Sequence, residues 1–105
     1  MSEKIEVENV NIPGRTERLD RTKYMAMRHA LLAALPDTPP GITVAQAQEA
    51  LLPHLSETDF PERQKAGWWM KAVQLDLEAK GIIKRAPQRP VHLYRVKSQR
   101  SDDWG

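Results

Sequence analysis

At 105 residues, with 40% hydrophobic and 6% aromatic side chains, the chain is long enough for one modest core of two packed layers and too short for two independent domains. It holds no cysteine, which excludes a disulfide frame, a thiolate metal site and a cysteine nucleophile. The net charge of +2 hides an asymmetry: residues 1–62 carry 6 Lys/Arg against 10 Asp/Glu, and residues 63–100 carry 10 against 2. A stretch of net +8 either attracts polyanions such as nucleic acid or forms a solvated basic surface.

The first ten residues alternate acids with apolar residues and lack the basic end and apolar run of a signal peptide. No stretch approaches ~18 consecutive apolar residues, so a soluble, cytoplasmic protein with no membrane partner is expected. Ile5, Val7, Val10 and Ile12 precede Pro13 and Gly14, which reads as an extended arm or edge strand stopping at a turn, within an N-terminal arm over residues 1–19. From Asp20, an N-cap residue type, Tyr24, Met27, Leu31 and Leu35 recur at helical spacing with Met25 and Leu32 alongside. This predicts a helix buried on one face and ended by Pro36, before a loop marked by Pro39, Pro40 and Gly41. Thr43 and Gln46 have the spacing of a capping box, which starts a second helix. Pro53 removes a backbone donor and disfavours helix at the residue before it, so that helix should finish near Leu52 and a loop over 53–61 should follow.

The third helix is predicted over about residues 62–80, closed by Gly81. Trp68, Trp69, Ala72, Val73, Leu75, Leu77 and Ala79 cover a broad apolar arc, opposite a stripe of Gln64, Gly67, Lys71, Gln74 and Glu78. Adjacent helical residues point ~100° apart, so the two indoles cannot share one neighbour. Trp69, in line with Val73 and Leu77, is expected in the core; Trp68 is expected to be the more accessible, under the N-terminal arm or in a homodimer contact. Gly67 either allows a close approach or marks where the regular helix begins. Asp76 falls inside the apolar arc, and an ion pair with an arginine of the first helix or a strand is expected there rather than catalysis. Residues 82–86 and 91–96 read as two strands of a hairpin around Pro87, Gln88, Arg89 and Pro90. The polar tail over 98–105, with its isolated Trp104, is expected to be loose, leaving 20–97 as the folded domain.

Chemistry-bearing constellations are missing from this pattern. His29, His54 and His92 fall on a helix, a loop and a strand without a ligand partner at metal spacing, so no metal is expected. Ser2, Ser56, Ser98 and Ser101 lie in the arm, the loop or the tail, away from any nucleophile elbow, and there is no glycine-rich phosphate loop. The expectation is a protein that is not an enzyme, with no catalytic residue and no cofactor.

Helix, short extended Gly41-Ile42-Thr43, helix, helix, hairpin is the element order of a winged helix-turn-helix domain, and residues 20–96 resemble one. The most specific piece runs from Val73 through Leu77, Glu78, Gly81, Ile82 and Ile83 to Arg85. It resembles the recognition-helix end and first wing strand of bacterial transcription repressors of the multiple-antibiotic-resistance and arsenic-responsive types, and marks fold better than function. Residues 66–81 are also similar to a family of short uncharacterised bacterial proteins, a likeness that names no activity. The resemblance implies an α+β fold of three helices and a C-terminal wing, with the third helix in the major groove and the wing on phosphates or the minor groove. Carried onto this chain, Gln64, Lys71 and Gln74 would face base edges, while Arg63, Lys65, Lys84, Arg85, Arg89 and Arg95 would neutralise phosphates of double-stranded DNA, in a homodimeric regulator. Two features depart from that pattern. The 53–61 connection exceeds the usual turn of ~3–4 residues, and Glu57, Asp59 and Glu62 lie near the start of the third helix. The alternative is a non-enzymatic protein-interaction module on the same scaffold, with Trp68 in the contact.

Overall fold

The computed structural model describes residues 3–96. In chain order its elements are β1 (Lys4–Glu8), β2 (Thr16–Asp20), α1 (Arg21–Ala34), β3 (Ile42–Thr43), α2 (Val44–Leu51), α3 (Ala66–Ala79), β4 (Ile83–Ala86) and β5 (His92–Arg95). Short 3-10 turns occupy Leu52–His54 and Pro61–Arg63. The fold is α+β, with three α-helices and two small antiparallel sheets, β1-β2 and β3-β5-β4. The expected loose tail over 98–105, with Trp104, lies outside the described residues.

Local chemistry sets the first two helices. The Asp20 carboxylate accepts the Thr22 amide at 2.9 Å and starts α1, and Leu35 is extended ahead of Pro36, which stops it. Tyr24, Met27, Ala30 and Leu31 form its buried face. At α2 both halves of the capping box are made: the Thr43 hydroxyl accepts the Gln46 amide at 3.0 Å, and Gln46 Oε1 accepts the Thr43 amide at 2.9 Å. Gly41, at φ +82°, holds β3 against β5 so closely that a Cβ there would lie 1.9 Å from the Leu93 carbonyl oxygen. Only glycine fits that approach.

Two regions differ from the sequence reading. The N-terminal segment does not stop at a single strand: β1 turns back through Asn9–Arg15 into β2, pairing Lys4 with Asp20 and Glu6 with Arg18 across the ladder. The facing charges are opposite in sign, although neither pair closes into an ion pair. The buried Val7 and half-buried Ile5 and Leu19 tie this hairpin to the core.

The third helix begins at Ala66, four residues later than its periodicity predicts. Phe60, read as part of a loop, is buried, with its ring edge-on to Trp69 at 6.4 Å and the Lys23 ammonium 5.0 Å from its centroid. The chain must bend after Phe60 before the helix can start. It does so through Glu62, Arg63 and Lys65, all in the left-handed region at φ 53°, 55° and 58°. Gly67 is the second residue of α3, and a Cβ there would meet only the Gln48 side chain, at 3.4 Å, so it marks the helix start rather than a close approach.

From Val73 to Leu77 every residue of α3 is buried. The helix packs on α1, the β1-β2 hairpin covers its Leu75–Asp76 side, and β4 follows it. A helix covered this widely is the middle of the molecule rather than an amphipathic surface element.

Candidate nucleic-acid interface

The start of α3 combines a missing side-chain cap with left-handed backbone. Its N-cap position is Lys65, left-handed and offering no side-chain acceptor, so no capping side chain receives the first amides of the helix. Each left-handed non-glycine residue costs about 1–2 kcal/mol, and three of them lie within four positions. Around this corner Arg63, Gln64, Lys65, Trp68 and Lys71 are exposed. The acids expected nearby are there too: Glu57 accepts the Glu62 amide at 2.6 Å, immediately before Arg63. Asp59 is engaged at the surface by Ser56, whose hydroxyl donates to it at 2.8 Å.

The C-terminal hairpin carries the second group. Lys84 and Arg89 are exposed, and like Arg63, Lys65 and Lys71 they form no ion pair with another described residue. Three of the candidates are engaged internally. Gln74, expected to face base edges, is only 3% exposed, and its amide donates to Glu78 Oε2 at 2.8 Å. The other oxygen of Glu78 accepts Arg85 Nε at 2.6 Å. This chain of contacts joins α3 to β4 and removes Gln74 from any ligand-reading role, while Arg85 keeps part of its surface in solvent. Arg95 is half-buried and donates through Nε to the Leu35 carbonyl at 3.0 Å, so it binds β5 to the end of α1 rather than standing free.

The two indoles divide as their positions on α3 dictate. Trp69 is 8% exposed and packs against Phe60, whereas Trp68 is 54% exposed. Their rings meet edge to face, with centroids 5.1 Å apart at 79°. Trp68 is therefore an exposed aromatic whose orientation is fixed by a buried one.

Asp76 is fully buried, and its partners correct the expected arginine pair. Oδ1 accepts the Glu8 amide at 2.7 Å, Oδ2 accepts the Tyr24 hydroxyl, and Lys80, one turn on along α3, approaches at 2.8 Å. Every polar atom of the carboxylate has a partner, and the partners come from β1, α1 and α3. Burial, followed by the hydrogen bond and charge of Asp76, pushes the Tyr24 hydroxyl well above the ordinary tyrosine value, with Arg28 opposing. A carboxylate so fully occupied anchors elements together rather than acting as an acid or base.

Among the described residues no group of three or more His, Cys, Asp and Glu is placed to hold a metal ion, and no helix is long and apolar enough to cross a membrane. Val10, Ile12, Arg15 and Glu17, which the sequence reading did not weigh as site residues, edge the junction of the hairpin with α3. The apolar alternation at 5, 7, 10 and 12 was the available signal. The profile of a family of unknown function, DUF6958, matches residues 4–93, and the chain belongs to that family. The matched span runs from the first residue of β1 into β5, and so takes in the N-terminal hairpin together with all three helices. No curated protein and no solved structure matches the chain.

Proposed function

We propose that this DUF6958 protein is a cytoplasmic winged-helix protein that binds double-stranded DNA through the start of α3 and the β4-β5 wing. One observation carries the reading: Arg63, Lys65, Lys71, Lys84 and Arg89 are exposed and free of ion pairs within the described residues. They lie on α3, on the bend that leads into it, and on the β4-β5 hairpin, the regions with which winged helices touch DNA. The β3-β5-β4 sheet, in which the strand between α1 and α2 pairs with the hairpin that follows α3, supports the same scaffold. With Gln74 sequestered, Gln64 and Lys71 remain for base edges, and Arg63, Lys65, Lys84 and Arg89 for phosphates. Contacts of this kind bind through counterion release and carry limited sequence preference.

The test is anisotropy of a labelled duplex titrated with the protein between about 50 and 200 mM salt, a range over which phosphate contacts weaken by orders of magnitude. Binding should fall linearly on logarithmic axes, and Arg89→Ala should flatten the slope by about one unit. Absence of binding near 50 mM salt would rule the reading out.

A second reading, a protein-interaction module without catalytic activity, is favoured by the exposure of Trp68 and by Glu57 and Glu62 standing beside Arg63.

A further inference from the structure

The open half of α3 presents an aromatic ring between two cations. Trp68 is exposed, and so are Lys71, three residues on, and Lys65, three residues before it at the N-cap. The Lys65 carbonyl accepts the Trp69 amide at 3.0 Å, which keeps that residue in step with the helix. At 100° and 1.5 Å per residue, the two lysines stand ~60° to either side of Trp68 around the axis and ~9 Å apart along it. Neither forms an ion pair with another described residue, and the same holds for Arg63 just before them.

The ring itself is held by its neighbour. Trp68 and Trp69 meet edge to face at 5.1 Å, and Trp69 is buried against Phe60. Whichever indole offers its edge, a contact of that kind leaves at least one face of Trp68 uncovered. A ring already oriented by a buried one loses little further freedom when a flat group lands on it.

An aromatic face flanked by unpaired cations matches a ligand that joins flat rings through anionic groups, and a nucleic-acid strand is such a ligand. Inside a duplex both faces of each base are stacked on neighbours, so an indole can take only a base that is unpaired or unstacked. We infer that Trp68 stacks an unpaired base, and that the DNA this protein takes is a duplex carrying a single-stranded end, with phosphates of that end on Lys65 and Lys71. The inference rests on the nucleic-acid reading above and narrows its ligand. An acidic peptide would pair with the lysines, but only one that also carried an aromatic group would cover the ring. Every nucleotide carries both.

The test compares three labelled ligands with the same duplex, titrated with the full chain near 50 mM salt. One is blunt, one has a short single-stranded end, and one has an end of the same length built from abasic sugars, so that its phosphates are kept and its bases removed. The base-bearing end should bind at least ~5-fold more tightly than the abasic one, the preference expected of one stacked base. Trp68→Leu should abolish that preference and leave the salt slope unchanged, since no charge is removed, whereas Trp68→Phe should retain part of it. Lys71→Ala should do the reverse, lowering the slope by about 0.7–0.9 and keeping the preference. Equal binding of the base-bearing and abasic ends overturns the inference while duplex binding still stands, and so does a preference that survives Trp68→Leu. If none of the three ligands binds, both the inference and the nucleic-acid reading fall, and Trp68-dependent binding of a peptide of alternating aspartate and tyrosine would then give this face to a protein partner.

Discussion

The two halves of α3 make opposite use of the same helix. From Val73 to Leu77 the helix is enclosed, and its polar groups, Gln74 and Asp76, are both hydrogen-bonded to partners inside the fold. From Lys65 to Lys71 the backbone enters strained and uncapped, an indole stands in solvent, and two lysines have no carboxylate partner among the described residues. Polar satisfaction marks the half that holds the molecule together. Strain and unpaired charge mark the half left available to a ligand or partner.

Asp76→Ala gives the largest break in this comparison. It leaves the Tyr24 hydroxyl and the Glu8 amide without an acceptor, and a buried unsatisfied donor costs about 1–3 kcal/mol. Lys80 can turn to water, since its side chain is already one-third exposed. The expected loss is about 2–5 kcal/mol in urea denaturation. Hydrogen exchange should speed up at Glu8 and Val10 before it does within α1. A loss below about 1 kcal/mol would mean that apolar packing of Val7, rather than the carboxylate, fastens the hairpin.

What the sequence made legible follows the same division. Asp20 and the Thr43/Gln46 box announce their helices because a cap acts within three or four residues, and Gly81 at φ +75° ends α3 by its own backbone freedom. The second N-terminal strand, Thr16–Asp20, has one apolar residue, and what secures it is a ladder to Lys4–Glu8 on the far side of a turn. Phe60 and the late start of α3 likewise depend on Trp69 and Lys23, neither adjacent in sequence. At the candidate site, charge alone located the exposed cations. It could not reveal that Glu78 engages Arg85 and Gln74, or that Leu35 receives Arg95, because those partners are chosen by packing.

The enclosed half can also be probed by pH. Tyr24 keeps its proton in the folded state beyond the ordinary tyrosine value of about 10. Above that pH the unfolded chain binds fewer protons than the native one, so stability falls as pH rises, by up to about 1.4 kcal/mol per pH unit from this group. The groups facing it are Asp76, which disfavours its ionisation, and Arg28, which favours it. Urea midpoints measured between about pH 9 and 11 should decline in the wild type. Tyr24→Phe should start lower, having lost the hydrogen bond, and decline less steeply. Parallel declines would assign the alkaline loss to other groups.

The smallest expected effect tests whether the open half is strained for a reason. Lys65 occupies φ +58° at an estimated cost of about 1–2 kcal/mol, and glycine there would recover it against about 0.5–1 kcal/mol of added freedom in the unfolded chain. Lys65→Gly should therefore raise stability by about 0.5–1 kcal/mol while lowering the salt slope of duplex binding by about 0.9. Lys65→Asn separates the two contributions, since asparagine tolerates the left-handed region without glycine's freedom. It should lose the same share of the salt slope, because the charge is gone either way. A full salt slope in both variants would assign the left-handed turn to the burial of Phe60 alone, and Lys65 would then be a solvated side chain carried along by that bend.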